Sequence, residues 1–160
     1  MGSMSVASSG VSTRTALIPP HGGSLVNLML GLEEQGPAKA SLCRRLECSD
    51  RNACDVELLV VGGFSPLRGF MHQEDYDAVV SGYRTTSGLL FGLPIVLDTD
   101  DPSVTIGDRV LLTYRGQELA IFTVESRWEP DKVKEAQGCY GTTSLEHPAV
   151  RMIACERGRF

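Results

Sequence analysis

Asp55-Val-Glu-Leu-Leu-Val-Val-Gly-Gly-Phe-Ser-Pro-Leu-Arg-Gly-Phe-Met71 is the stretch whose reading decides the fold. Its first half reads as the end of a helix. Val56, Leu59 and Val60 fall at helical spacing with Ala53, and Gly62-Gly63 can stop the helix with a left-handed residue. Its second half, Ser65 to Met71, reads as a turn carrying anchors. Pro66 fixes φ, Gly69 permits φ > 0, and Leu67, Phe70 and Met71 are large apolar groups flanking the bend. A loop with so many apolar side chains has to bury them, in its own domain or against another.

Toward the N-terminus, Ser49 or Asp50 supplies the cap of the helix that leads into this stretch. Residues 38–46, with Leu42 and Leu46 four apart, suggest another helix, and Gly36-Pro37 suggests a break before it. Further back, Pro19-Pro-His21-Gly22-Gly23 is a turn-forming entry. Ser24 is placed to cap a short helix whose Leu25, Leu28, Met29 and Leu32 form one apolar stripe. A lone His21 beside two glycines reads as a structural donor more readily than as a ligand. Residues 1–16 are Ser/Thr-rich and aperiodic, which predicts a disordered or loosely held tail, and Met1-Gly-Ser-Met4 reads as a cloning scar. The domain is thus expected over residues 17–160.

Toward the C-terminus, Tyr76, Val79, Val80 and Tyr83 mark a helix with Glu74 and Asp75 in its first turn and Ser81-Gly82 at its end. His72 precedes it as a cap or surface group. Strand patterns follow. Residues 93–97 (Leu-Pro-Ile-Val-Leu) form a short apolar run. Residues 109–114 and 118–126 are β-rich runs joined at Arg115-Gly116-Gln117, a hairpin. In the second run Leu119, Ile121 and Thr123 face one way and Ala120, Phe122 and Val124 the other; with both faces apolar, that strand is expected to be well buried. Pro130 opens a short helix through Gln137, ended by Gly138.

Composition sets bounds on function. The chain has 160 residues, 42% hydrophobic and 22% charged, which is one ordinary globular domain. A net charge of −5 argues against a nucleic-acid partner, which demands a basic face. No apolar run approaches the length that spans a membrane. The five cysteines, Cys43, Cys48, Cys54, Cys139 and Cys155, are odd in number and contain no CxxC pair. They read as free, mostly buried thiols in a reducing cytosol, and the spacing of the first three does not match the common zinc pairs.

The wording of several segments is more specific than their physics. Pro20-His21-Gly22-Gly23, Ser65-Pro66-Leu67-x-Gly69-Phe70-Met71, and Tyr140-Gly141-Thr-Thr143 followed by His147-Pro148 resemble, in this order, the N-terminal domain of the ATP sulfurylases (sulfate adenylyltransferases). Leu28 stands where that family prefers Arg, Ser144 where it has Asp, and Ala149 where it has Gly. The resemblance implies an α+β, PUA-like fold: a β-rich pseudo-barrel with short peripheral helices. It implies a cytoplasmic parent enzyme that joins sulfate to the α-phosphate of ATP, with magnesium, in sulfate assimilation. Within that family the donors for this chemistry occupy Gln-x-Arg-Asn, His-x-x-His and Gly-Arg-Asp segments of the following domain, and none of these is present here. The resemblance therefore assigns no catalytic, cofactor or metal residue to this chain and makes it catalytically silent alone. Its motif residues become structural or interdomain positions, and its partners become the catalytic domain and copies of itself in a homo-oligomer. Two other readings stand beside this one: an RNA-binding module, because PUA-like folds elsewhere bind RNA, and a free-standing regulatory domain.

Overall fold

The computed structural model describes residues 17–39 and 44–155. In chain order it holds α1 (Leu32–Lys39), β1 (Arg44–Glu47), α2 (Asp50–Val61), α3 (Gln73–Gly82), β2 (Arg109–Tyr114), β3 (Gln117–Thr123), α4 (Lys132–Tyr140) and α5 (Pro148–Cys155), with a single 3-10 turn at His21–Gly23. Among the described residues the sheet has three strands in the order β1-β2-β3 and is open, not a closed barrel. β1 runs parallel to β2, and β2 runs antiparallel to β3. The architecture is α+β, as the resemblance implied.

The opening stretch is where the two halves of the core meet. Ser49 caps α2 by accepting the Asn52 N–H at 3.2 Å. Gly62, at φ +85°, ends the helix with its N–H on the carbonyls of Leu58 and Leu59. Leu59 and Met71 are buried with Tyr76, Val79 and Val96 in one core cluster, while Ala53 and Val56 are buried with Leu46, Val110 and Leu112 in a second. Phe70 packs against both, edge-on to Phe122 at 5.5 Å. The anchoring role of Leu67 and Phe70 therefore holds, with both side chains half-buried rather than sealed. Gly69 does not take a positive φ; the left-handed glycine of this stretch is Gly62, and the Ser65–Pro66 peptide bond is cis.

The structure differs from the sequence reading at several elements. No helix forms over residues 24–31. They run as an extended strap instead, because the Val26 N–H donates to Ser65 Oγ at 2.9 Å and the Leu28 N–H to the Val60 carbonyl at 2.9 Å. Those partners satisfy the backbone that a helix would otherwise satisfy internally. Helix α1 lies after the strap and runs through Gly36 and Pro37 without burying a residue. The helix expected over residues 38–46 is replaced at its end by β1, where Leu46 alone of its four residues points into the core; Leu42 lies outside the described residues.

Residues 93–97 form no strand and join no ladder. Their carbonyls serve other elements: Ile95 accepts the Met71 N–H at 2.8 Å, and Val96 accepts Asn52 Nδ2 at 3.1 Å. The hairpin is tighter than expected, with only Arg115 (φ 49°) and Gly116 (φ 78°) in the turn and Gln117 already in β3. β3 is not well buried. It is an edge strand whose residues are half-buried or exposed, since no further strand covers it among the described residues. Helix α4 does not stop at Gly138 but passes through it to Gly141, at φ +69°. Its start is fixed by Asp131, whose carboxylate accepts the N–H groups of Val133 and Lys134. Of the cysteines, Cys48 is buried, whereas Cys54 and Cys155 are exposed; all described cysteines are free thiols. No helix among the described residues is long and apolar enough to cross a membrane.

Candidate interdomain site

Two motifs separated by more than forty residues in sequence meet in space. Gly22 lies so close to Pro66 that a Cβ on it would sit 2.6 Å from Pro66 Cγ, and its φ is +70°. Only glycine fits both conditions. Gly23, at φ +86°, closes the turn by donating its N–H to the Pro20 carbonyl. His21 reaches the other way. Its Nε2 lies 2.9 Å from the Leu90 carbonyl and its ring meets Phe91 edge-on at 5.5 Å, the structural role that its sequence context suggested. Ser65 ties the knot. Its buried hydroxyl donates to the Gly62 carbonyl at 2.6 Å and accepts the Val26 N–H at 2.9 Å. The Pro-His-Gly-Gly turn, the strap, the end of α2 and the Ser-Pro-Leu turn thus form one unit.

Behind this unit opens a cleft of about 630 Å³. One wall is residues 66–72; the others are drawn from residues 85–91, 97–104 and 121–128. Its floor is apolar, with Leu46, Met71 and Val110. Most of its charged groups are already engaged. His72 pairs with Glu125 at 3.2 Å, and Asp75 accepts the Thr86 N–H and hydroxyl at 2.8 and 2.7 Å. Arg127 donates to the carbonyls of Val104 and, at 2.9 Å, Asp101. Arg68 is exposed at the rim. A polyphosphate needs several cationic and N–H donors converging on one point. Among the described residues, the lining of this cleft does not bring such donors together at one point. Among the described residues no cluster of three or more His, Cys, Asp or Glu is arranged to hold a metal.

The remaining motif positions lie apart from the cleft lining, at the α4–α5 corner. Gly141 ends α4, the rings of Tyr140 and His147 lie 5.2 Å apart, and Pro148 opens α5. The sequence reading named no helix here, although Pro148 at a first helical position is the signal that marks α5. A buried ionisable contact next to this corner carried no comparable signal: Glu135, 2% exposed, accepts the Tyr76 hydroxyl at 2.8 Å. Burial pushes the Glu135 carboxyl above its ordinary range, against the opposing pull of the Tyr76 hydrogen bond and the charges of Arg51 and Lys132. Alternation or helical spacing cannot separate such a carboxylate from a solvated one.

The domain has known relatives. Residues 18–160 match the PUA-like domain family, and the chain belongs to it. Its curated relatives are narrower in kind. A sulfate adenylyltransferase of Neurospora crassa is 43% identical over 145 residues, covering 84% of this chain and 25% of the relative. One from Nostoc punctiforme is 37% identical, covering 85% and 36%. A probable bifunctional SAT/APS kinase 2 of Sorangium cellulosum is 39% identical, covering 86% and 25%. Among solved structures, the hexameric APS kinase from Thiobacillus denitrificans superposes with a TM-score of 0.62 at 32% identity, over 72% of this chain and 24% of that one. The chain therefore spans between a quarter and about a third of the length of these relatives.

Proposed function

We propose that this chain is the N-terminal domain of a cytoplasmic sulfate adenylyltransferase and serves there as a docking module without chemistry of its own. The parent enzyme would join sulfate to the α-phosphate of ATP, with magnesium, giving adenosine 5′-phosphosulfate and pyrophosphate. One observation carries the reading: the motif residues shared with that family are spent on holding the domain together. His21 is on a backbone carbonyl, Gly22 is against Pro66, and Ser65 is on two backbone groups. Residues so engaged are committed to backbone contacts rather than aimed at phosphoryl oxygens, where charge develops in such a transfer. The similarity to sulfate adenylyltransferases over 84% of the chain supports the parent assignment.

Sulfate attack on a phosphate sets anion against anion, so several convergent donors must offset the repulsion. Removing one such donor typically costs on the order of a hundredfold in rate. The purified chain incubated with ATP, magnesium and sulfate should release no pyrophosphate above background, and the full-length protein should release it only when sulfate is present. Sulfate-dependent release by the 160-residue chain would overturn the reading.

A further inference from the structure

Of the apolar residues that the expected N-terminal helix would have buried, Leu25, Met29 and Leu32 are left on the surface and Leu28 is half-buried. Val26 turns inward, and Leu25 and Met29 turn outward, 63% and 64% exposed. Beside them, on the outer side of α2, Leu58 and Val61 are 41% and 54% exposed. Gly62 and Gly63 close the gap between strap and helix: Leu25 Cδ1 and Leu58 Cδ2 each approach within 2.8 Å of where a Cβ would stand. The patch then runs into a groove of about 540 Å³, lined by Met29, Leu30, Val60, Phe70, Leu119 and Ile121 under the open edge of β3. Charged groups also line it: Lys39 and Arg45 both engage Glu118, Arg109 donates to the Ala38 carbonyl at 3.2 Å, and Arg68 is exposed. An apolar centre with a polar rim is the anatomy of a protein interface.

The sequence sharpens this. Residues 22–32 and 58–67 contain no Asp, Glu, Lys or Arg, in a chain that is 22% charged. The fold brings these two uncharged runs side by side. These two runs offer no cation to a phosphate backbone or an anionic membrane, and the charged groups of the adjoining groove, Lys39, Arg68, Arg109 and Glu118, are of both signs. The runs themselves fit an apolar protein surface. The matched part is 25% of the fungal relative, so three quarters of such a polypeptide lies outside it.

We propose that the outer face of the strap, with Leu58, Val61 and the adjoining groove, is where the catalytic remainder of the same polypeptide seats. This rests on the docking role proposed above and names the face that performs it. Side-chain oxidation reads it directly, because methionine oxidises according to exposure. Hydroxyl-radical footprinting of the full-length protein and of the 160-residue chain should show Met29 reacting at least about fivefold more slowly in the former. Leu25 and Leu58 should follow it. Ile106 and Val133, exposed elsewhere, should react equally in both. The double variant Leu25→Glu/Met29→Glu should leave the melting of the 160-residue chain unchanged and abolish the protection in the full-length protein. Equal Met29 rates in the two proteins would overturn the proposal. So would protection already present in the 160-residue chain and lost on dilution, which would mark a second copy as the occupant. Sulfate-dependent pyrophosphate release, followed in parallel, separates the two readings: protection without release would sink the enzyme assignment alone, and release with Met29 unprotected would sink the docking face alone.

Discussion

At the scale of single residues, glycine and serine decide more than the large side chains that stand out in the sequence. Gly69, in the middle of the Ser-Pro-Leu-x-Gly-Phe-Met motif, has nothing within 4 Å of a built Cβ and no left-handed φ. Gly69→Ala should therefore stay within about 0.5 kcal/mol of the parent. Gly138 is the opposite case. A Cβ there would stand 2.3 Å from the Val80 carbonyl oxygen, at the contact between α4 and α3. Because the obstacle is backbone, the two helices must move apart, and Gly138→Ala should cost about 1–3 kcal/mol. Urea titrations of the two variants check both statements, and equal midpoints would refute them. Ser65→Ala removes the acceptor of the Val26 N–H and the donor to the Gly62 carbonyl, both in a buried setting. It should cost about 1–3 kcal/mol and release the strap. Faster amide exchange at Val26 than in the parent would report that release, and unchanged exchange would count against it.

At the scale of elements, those that pack through regular apolar spacing were legible in the sequence. Helix α2 with its Ser49 cap, helix α3 with Tyr76, Val79 and Val80 inward, and the β2–β3 hairpin all follow from period and cap. The strap was not legible. Leu25, Leu28, Met29 and Leu32 have helical spacing, but Ser65 and Val60 take up the backbone N–H groups of Val26 and Leu28, and those partners lie over thirty residues away. The α3–α4 contact was equally hidden, since Tyr76 and Glu135 signal nothing separately. That contact has a pH signature. Burial raises the folded Glu135 carboxyl above its ordinary 4.5, so the folded state favours the protonated form. Its stabilising contribution is complete below about 4.5 and is lost as pH rises through the raised folded value. Asp55 is shifted upward by burial as well, so part of the same dependence belongs to it. Glu135→Gln keeps an acceptor for Tyr76 and removes the ionisation. Chemical denaturation from pH 7 down to 4.5 should show a shallower gain in stability for Glu135→Gln than for the parent. Parallel curves would mean that Glu135 ionises in the fold without cost.

At the scale of the whole molecule, charge separates a docking module from a nucleic-acid reader. A PUA-like domain that held RNA would need cations free to replace the counterions of its phosphates. This chain carries a net charge of −5, and many of its cations are held by its own acids and carbonyls. Arg44 faces Asp108 at 3.3 Å, Arg115 faces Asp50 at 3.6 Å, and Lys134 faces Asp77 at 3.4 Å. Lys39 and Arg45 share Glu118, whose carboxyl is drawn below its ordinary range chiefly by the Lys39 hydrogen bond. Arg127 is turned onto backbone carbonyls at the cleft wall. Surface pairs of this kind add little to stability. Their effect is to mix the signs on the surface of the described residues. The strap and the outer side of α2 expose Leu25, Met29, Leu58 and Val61, apolar groups that suit contact with protein rather than with phosphate. Fluorescence anisotropy with a structured RNA at physiological salt should therefore show no saturable binding up to tens of micromolar, roughly the weaker half of the non-specific range. Lowering the salt should recover little, because the net charge of −5 opposes a phosphate backbone. Micromolar binding that falls steeply with salt would place a phosphate-neutralising face on this domain and would favour an RNA-reading role over docking.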